Sequence, residues 1–117
     1  ALDYLTDAII DLPEQRLGLY LAGRRFALEG QRKTGATLLE KTLKAPALNV
    51  PVAHALLTIE TYRLLGSLYI HLGRYEAAHD AYTQVLKRSG TQASRNTAKD
   101  WLERIGWLVT TREKGKN

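Results

Sequence analysis

Three histidines and one close pair of carboxylates are the residues from which this sequence would have to build a reactive centre. A metal-binding pair on a helix needs its histidines three or four residues apart, so that both rings reach one ion. His54, His71 and His79 have no such spacing and no cluster of acids beside them, so they read as structural or surface groups. Glu76 and Asp80 are one helical turn apart. A glycosidase-type pair would need a cleft and one acid held protonated. On an amphipathic helix packed through Ala78 and Tyr82, the two acids read instead as a solvated face. Gly30 and Gly35 lack the Gly-Lys-Ser/Thr ending of a phosphate loop. With no cysteine, disulfides, thiolate zinc sites and cysteine nucleophiles are excluded. The expectation is a chain with no catalytic residues, no metal and no cofactor.

What remains to be explained is how the elements pack. The chain has 117 residues, 44% hydrophobic and 25% charged, a balance that suits one folded domain rather than a disordered segment. No apolar run approaches the roughly 20 residues that span a bilayer. There is no secretory signal either, but the sequence opens at Ala1 without a methionine and within a helical pattern. It therefore reads as a piece cut from a longer protein. The compartment stays open, with the reading leaning to the cytoplasm.

The clearest unit runs from Thr61 to Gly90. Tyr62, Leu65, Gly66 and Tyr69 keep helical spacing before Gly73, and Tyr75, Ala78, Tyr82, Val85 and Leu86 keep it after. Gly73 suits a helix C-terminus, where a left-handed residue is favoured and glycine has no Cβ to clash. Gly66 and Ala78 are small enough to let two helices approach, with the aromatics filling the space around them. A weaker copy stands 43 residues upstream, where Leu19, Ala22, Gly23, Phe26, Gly30, Gly35, Leu39 and Leu43 take the corresponding places.

These residues resemble the tetratricopeptide repeat, whose first helix carries an aromatic, Leu-Gly and Tyr, and whose second follows a Gly-Xaa-Tyr turn with Ala and an aromatic. Gly90 departs from the proline usual at the end of the motif. The motif repeats every 34 residues or about that, so about nine residues are inserted between the two units. Pro46 and Pro51 should end one helix there and start another, which then runs on to about Leu72. Ala1, Leu5, Ala8 and Pro13 match the second half of a repeat with no first half before it. The resemblance implies an all-α fold, an α-α superhelix of helical hairpins with a C-terminal capping helix. The expected parts are a truncated repeat's second helix (1–14), a degenerate repeat (15–48) and an insertion (49–58). A full repeat (59–92), a capping helix (93–111) and a frayed tail (112–117) complete it. Ala98, Trp101, Leu102, Ile105 and Val109 form the cap's inner face.

In this family the first helix of each hairpin lines a concave groove that receives a peptide or partner helix. Carried onto this chain, the groove residues are Leu17, Tyr20, Leu21, Arg24, Ala27 and Leu28, then Glu60, Arg63, Leu64, Ser67, Ile70 and His71. The mixture of apolar residues and arginines suits a partner with a hydrophobic anchor and an acidic residue. Against it stands the plainer possibility that the leucines only pack and the arginines are only solvated. Members that grip chaperone C-terminal carboxylates use lysine and asparagine where this chain has Leu17 and Leu21, or Glu60 and Leu64, so that clamp is not expected. At about 100° per residue, Trp107 points away from Ala98 and Ile105, and marks a candidate interface for self-association or a further segment.

Net charge is +5, unevenly spread. Residues 1–15 carry four acids and no base, whereas residues 16–58 carry seven bases against two acids. Arg24, Arg25, Arg32, Lys33, Lys41 and Lys44 raise a second possibility, a nucleic-acid-binding or sensor arm of a transcription regulator. The tyrosines are assigned to packing and are not free to stack on bases, which weighs against it. The leading expectation is a protein-interaction scaffold.

Overall fold

A computed structural model describes residues 15–115, and the described residues form helices and turns with no strand. The helices are α1 (Gln15–Leu28), α2 (Arg32–Lys44), α3 (Pro51–His71), α4 (Tyr75–Arg88) and α5 (Gln92–Gly115). The helix expected over residues 1–14 lies outside the described residues, as do residues 116–117.

Two helical hairpins are closed by the same turn. At the end of α1, Gly30 has φ +86°. The Gln31 amide donates to the Phe26 carbonyl (2.9 Å) and the Gly30 amide to that of Ala27 (3.1 Å). At the end of α3, Gly73 has φ +75°, Arg74 donates to Tyr69 (2.8 Å), and Gly73 to Ile70 (3.1 Å). Each participant lies 43 residues beyond its counterpart. Both turns satisfy the last carbonyls of the helix with amides beyond its end, through a left-handed residue that an L side chain would strain.

Between the hairpins, α2 stops at Lys44 because Ala45 is extended (ψ 158°) ahead of Pro46, whose ring disfavours helical backbone in the residue before it. Pro51 then opens α3 in its first turn, where a missing N–H costs nothing. The first two turns of α3 carry Val52 and Leu56 on the surface, next to exposed Val50, and the Leu48 amide donates to His54 Nδ1 (3.4 Å) at their base.

Small residues set how closely each pair approaches. A Cβ built on Gly23 would lie 2.9 Å from Leu39 Cγ, and one on Gly35 only 3.0 Å from the Gly23 carbonyl oxygen. The α1 and α2 backbones therefore touch at this crossing. In the second hairpin Gly66 faces the Tyr82 ring and Ala78 is fully enclosed. A continuous core runs from Ala36 and Leu39 through Leu65, Leu68 and Tyr69 to Ala81, Tyr82, Val85, Ala98 and Ile105. A smaller cluster of Leu19, Phe26 and Leu38 fills the space between α1 and α2.

Helix α5 lies against α4 through Ala98 and Ile105, both buried, with Trp101, Leu102 and Val109 leaning on the same core. The Trp101 indole stacks on the Tyr82 ring, with centroids 5.7 Å apart and planes 7° from parallel. The helix does not stop at Thr111 but continues to Gly115. Arg112 holds that last turn, its guanidinium over the Tyr75 ring (5.2 Å) and 2.5 Å from Glu76 Oε1.

Candidate partner-binding face

Helices α1 and α3 touch, and α3 is tied to the start of α5 through Arg63 and Ser94. The residues expected to line a groove lie on α1 and α3, and none is buried. On α1, Leu17, Leu21 and Leu28 are 36%, 51% and 76% exposed, and Arg24 is exposed between them. Tyr20 and Ala27 are half-buried and lean on the core, as do Leu64 and Ile70 of α3. Glu60, Arg63 and Ser67 are half-buried. The exposed His71 closes the row, its Nδ1–H donating to the Ser67 carbonyl (2.9 Å). The carbonyl can only accept, which fixes the proton on that nitrogen.

The polar centre of the face is Tyr20, Arg24, Glu60 and Arg63. Burial raises the Tyr20 phenol above its ordinary range, Glu60 pushes it further, and Arg24 and Arg63 pull it back. Glu60, Arg24 and Arg63 therefore each sit within electrostatic reach of the Tyr20 phenol. The two arginines differ in what they hold. Arg63 donates from Nη1 to the Glu60 carboxylate and from Nη2 to Ser94 Oγ (2.9 Å). Ser94 in turn meets Ser89 Oγ (2.9 Å), which lies 2.6 Å from the Val85 carbonyl. Because that carbonyl must accept, Ser89 donates to it and Ser94 donates to Ser89, making one directed chain from the face to the end of α4. Arg63 is thus committed to its neighbours, contrary to the expectation of a fork offered to a partner. Arg24 has no ion pair or hydrogen bond among the described residues.

Two contributors carry no obvious mark in the sequence. Ser94 is one polar residue among many at the head of α5. Arg16 stands three residues before Leu19, on the stripe that continues through Gly23 and Phe26, and it is 7% exposed. Its guanidinium donates to the carbonyls of Ala45 (2.5 Å), Leu43 (3.1 Å) and Pro46 (3.1 Å), capping the end of α2. Burial lowers its pKa, with Tyr62 acting in the opposite sense. A basic residue in register with an apolar stripe was the available signal.

The other candidate groups are dispersed. No group of three or more potential metal ligands occurs among the described residues. Glu76 is drawn to Arg112, and Asp80 is exposed at the rim of a shallow cleft of about 370 Å³ shared with Tyr75, His79, Ile105 and Val109. Trp107 is 67% exposed on the outer side of α5, while Arg88 lies over the Tyr62 ring (5.6 Å) and Tyr69 and Tyr82 are buried. Arg25, Arg32, Lys33, Lys41 and Lys44 are all exposed, Arg25 paired with Glu29. No helix among the described residues is long and apolar enough to cross a membrane. No family model, curated protein or solved structure matches this chain.

Proposed function

We propose that the chain is a tetratricopeptide-type scaffold without catalytic activity, whose α1–α3 face binds a segment of another protein. The observation that carries this reading is the α1 surface itself, where Leu17, Leu21 and Leu28 are exposed around an arginine that has no ion partner among the described residues. Exposed apolar side chains in a row beside an available arginine suit a surface that meets a complementary chain. The family resemblance is supported by the two identical glycine turns and by the close approaches at Gly23, Gly35 and Gly66. It also gives the hairpins their superhelical stacking, with α5 as the cap and Trp107 on the outside as a further contact point.

Nucleic acid is the weaker reading. Exposed bases favour it, but Tyr69 and Tyr82 are buried, and Tyr62 and Tyr75 lie beneath arginines. The test is fluorescence anisotropy with labelled peptides of equal apolar content that differ only in carrying acidic, neutral or basic residues. A labelled single-stranded oligonucleotide is titrated alongside at low salt. Acidic peptides should bind best and lose about tenfold with Arg24→Glu, which leaves helical ellipticity unchanged. Equal binding by all three peptides, or salt-sensitive binding of the oligonucleotide alone, would refute the assignment.

A further inference from the structure

Among the described residues the charges on the α1–α3 face do not balance, and the way they fail to balance limits what can dock. Two cations, Arg24 and Arg63, stand with one acid, Glu60, around the Tyr20 phenol. Glu60 does not lie between the arginines. It is three residues before Arg63 on the same helix and holds Nη1 of that side chain, while Ser94 of α5 holds Nη2. Both outer corners of the Arg63 fork are therefore engaged, and its positive charge is matched by a carboxylate almost half open to solvent. The excess positive charge sits on Arg24, one turn after Tyr20 and flanked on its helix by Leu21 and Leu28.

From this we infer, resting on the partner-binding reading above, that Glu60 sets the charge specificity of the face. The ligand class is a peptide segment with a single acidic side chain bracketed by apolar residues. Its carboxylate is taken by the Arg24 fork, with the Tyr20 hydroxyl beside it as a donor, and its apolar residues cover Leu17, Leu21 and Leu28. A second acid one helical turn away meets an arginine that is already neutralised, together with the carboxylate that neutralises it. Like charges across an interface reject a partner as effectively as opposite charges attract one. Glu60 thus denies doubly acidic segments the added affinity that two free arginines would give them. Tyr20 is half-buried, and Glu60 of α3 acts on its phenol as do both arginines.

Three labelled helical peptides with identical apolar residues and none, one or two glutamates in successive turns test this by anisotropy at low ionic strength. The whole chain is compared with its Glu60→Gln variant, which keeps the side-chain size and a hydrogen-bond acceptor for Arg63. With the unaltered chain, the single-acid peptide should bind about tenfold tighter than the uncharged one, and the second acid should add nothing. With Glu60→Gln, the doubly acidic peptide should gain about tenfold while the single-acid peptide stays within about twofold. An equal gain for both acidic peptides would overturn the specificity role and leave partner binding standing, since it would report only a change in overall field. Binding of no peptide by the unaltered chain would remove the partner-binding reading itself. Glu60→Ala, which cannot pair with Arg63 at all, should reproduce the Gln result; if it instead behaves as the unaltered chain, Glu60 is not the selector.

Discussion

Adding one methyl group to the interior of α3 or of α5 should move stability in opposite directions. Gly66 and Gly106 both lie inside helices, so replacing either by alanine removes the same backbone penalty, worth about 1 kcal/mol in a helix. Their surroundings differ. A Cβ at Gly106 meets nothing within 4 Å, whereas at Gly66 it would lie 2.6, 2.8 and 2.9 Å from Cε2, Cδ2 and Cζ of Tyr82. Carbon atoms settle at about 3.5–4.0 Å, so the ring would have to retreat by about 1 Å. It cannot do so freely, because its neighbour is the Trp101 indole stacked at 5.7 Å. Overpacking of this kind costs about 1–3 kcal/mol. Gly106→Ala should therefore gain about 1 kcal/mol, while Gly66→Ala loses that gain and up to about 2 kcal/mol more, a separation of about 1–3 kcal/mol. Urea unfolding followed by far-ultraviolet circular dichroism measures both. In thermal melts each kcal/mol corresponds to about 4–8 °C for a domain of this size. Equal stability of the two variants would mean that close approach to Tyr82 is not what Gly66 provides.

Arg16→Ala should cost about 3 kcal/mol in the same unfolding assay, since three carbonyls at the end of α2 lose a charged donor, and Arg16→Lys should recover less than half because one ammonium cannot reach all three. A loss under 1 kcal/mol or thereabouts would show the clamp to be incidental. At alkaline pH, burial followed by the Glu40 carboxylate pushes the Tyr69 phenol up to about 12. A pKa raised in the folded state means the native chain keeps the proton longer than the unfolded one. Stability should then be level below about pH 10 and fall by about 2–3 kcal/mol as pH rises towards 12. Tyr69→Phe should flatten that part of the curve, and an unchanged slope would assign it to other groups.

Much of this architecture can be read from the residues because it depends on local chemistry. Gly30 and Gly73 mark helix ends by the one backbone conformation they permit, and Pro51 opens α3 for an equally local reason. The inner stripe of α5 follows from its 3.6-residue spacing, and Ala98 and Ile105 are buried accordingly. What spacing does not carry is pairing between helices. Nothing near Arg63 in the sequence announces Ser94, which reaches it only once α5 has docked. Arg16 looks like an ordinary surface base until the unsatisfied carbonyls of α2 arrive beside it. The last turn of α5 is too charged to promise order, yet Arg112 finds Tyr75 and Glu76 at the far end of α4. The face itself divides in the same way. Its leucines are legible as a row, but the decision about which arginine remains available is made by contacts between elements.

The two indoles on α5 also give the protein a built-in optical distinction. One ring is half-buried and stacked on a tyrosine, and the other stands in water six residues later. A water-soluble quencher would reach the outer one first, so its emission reports on whatever covers the outside of that rod. The half-buried one should respond more weakly, and gain sensitivity when the rod itself lifts away.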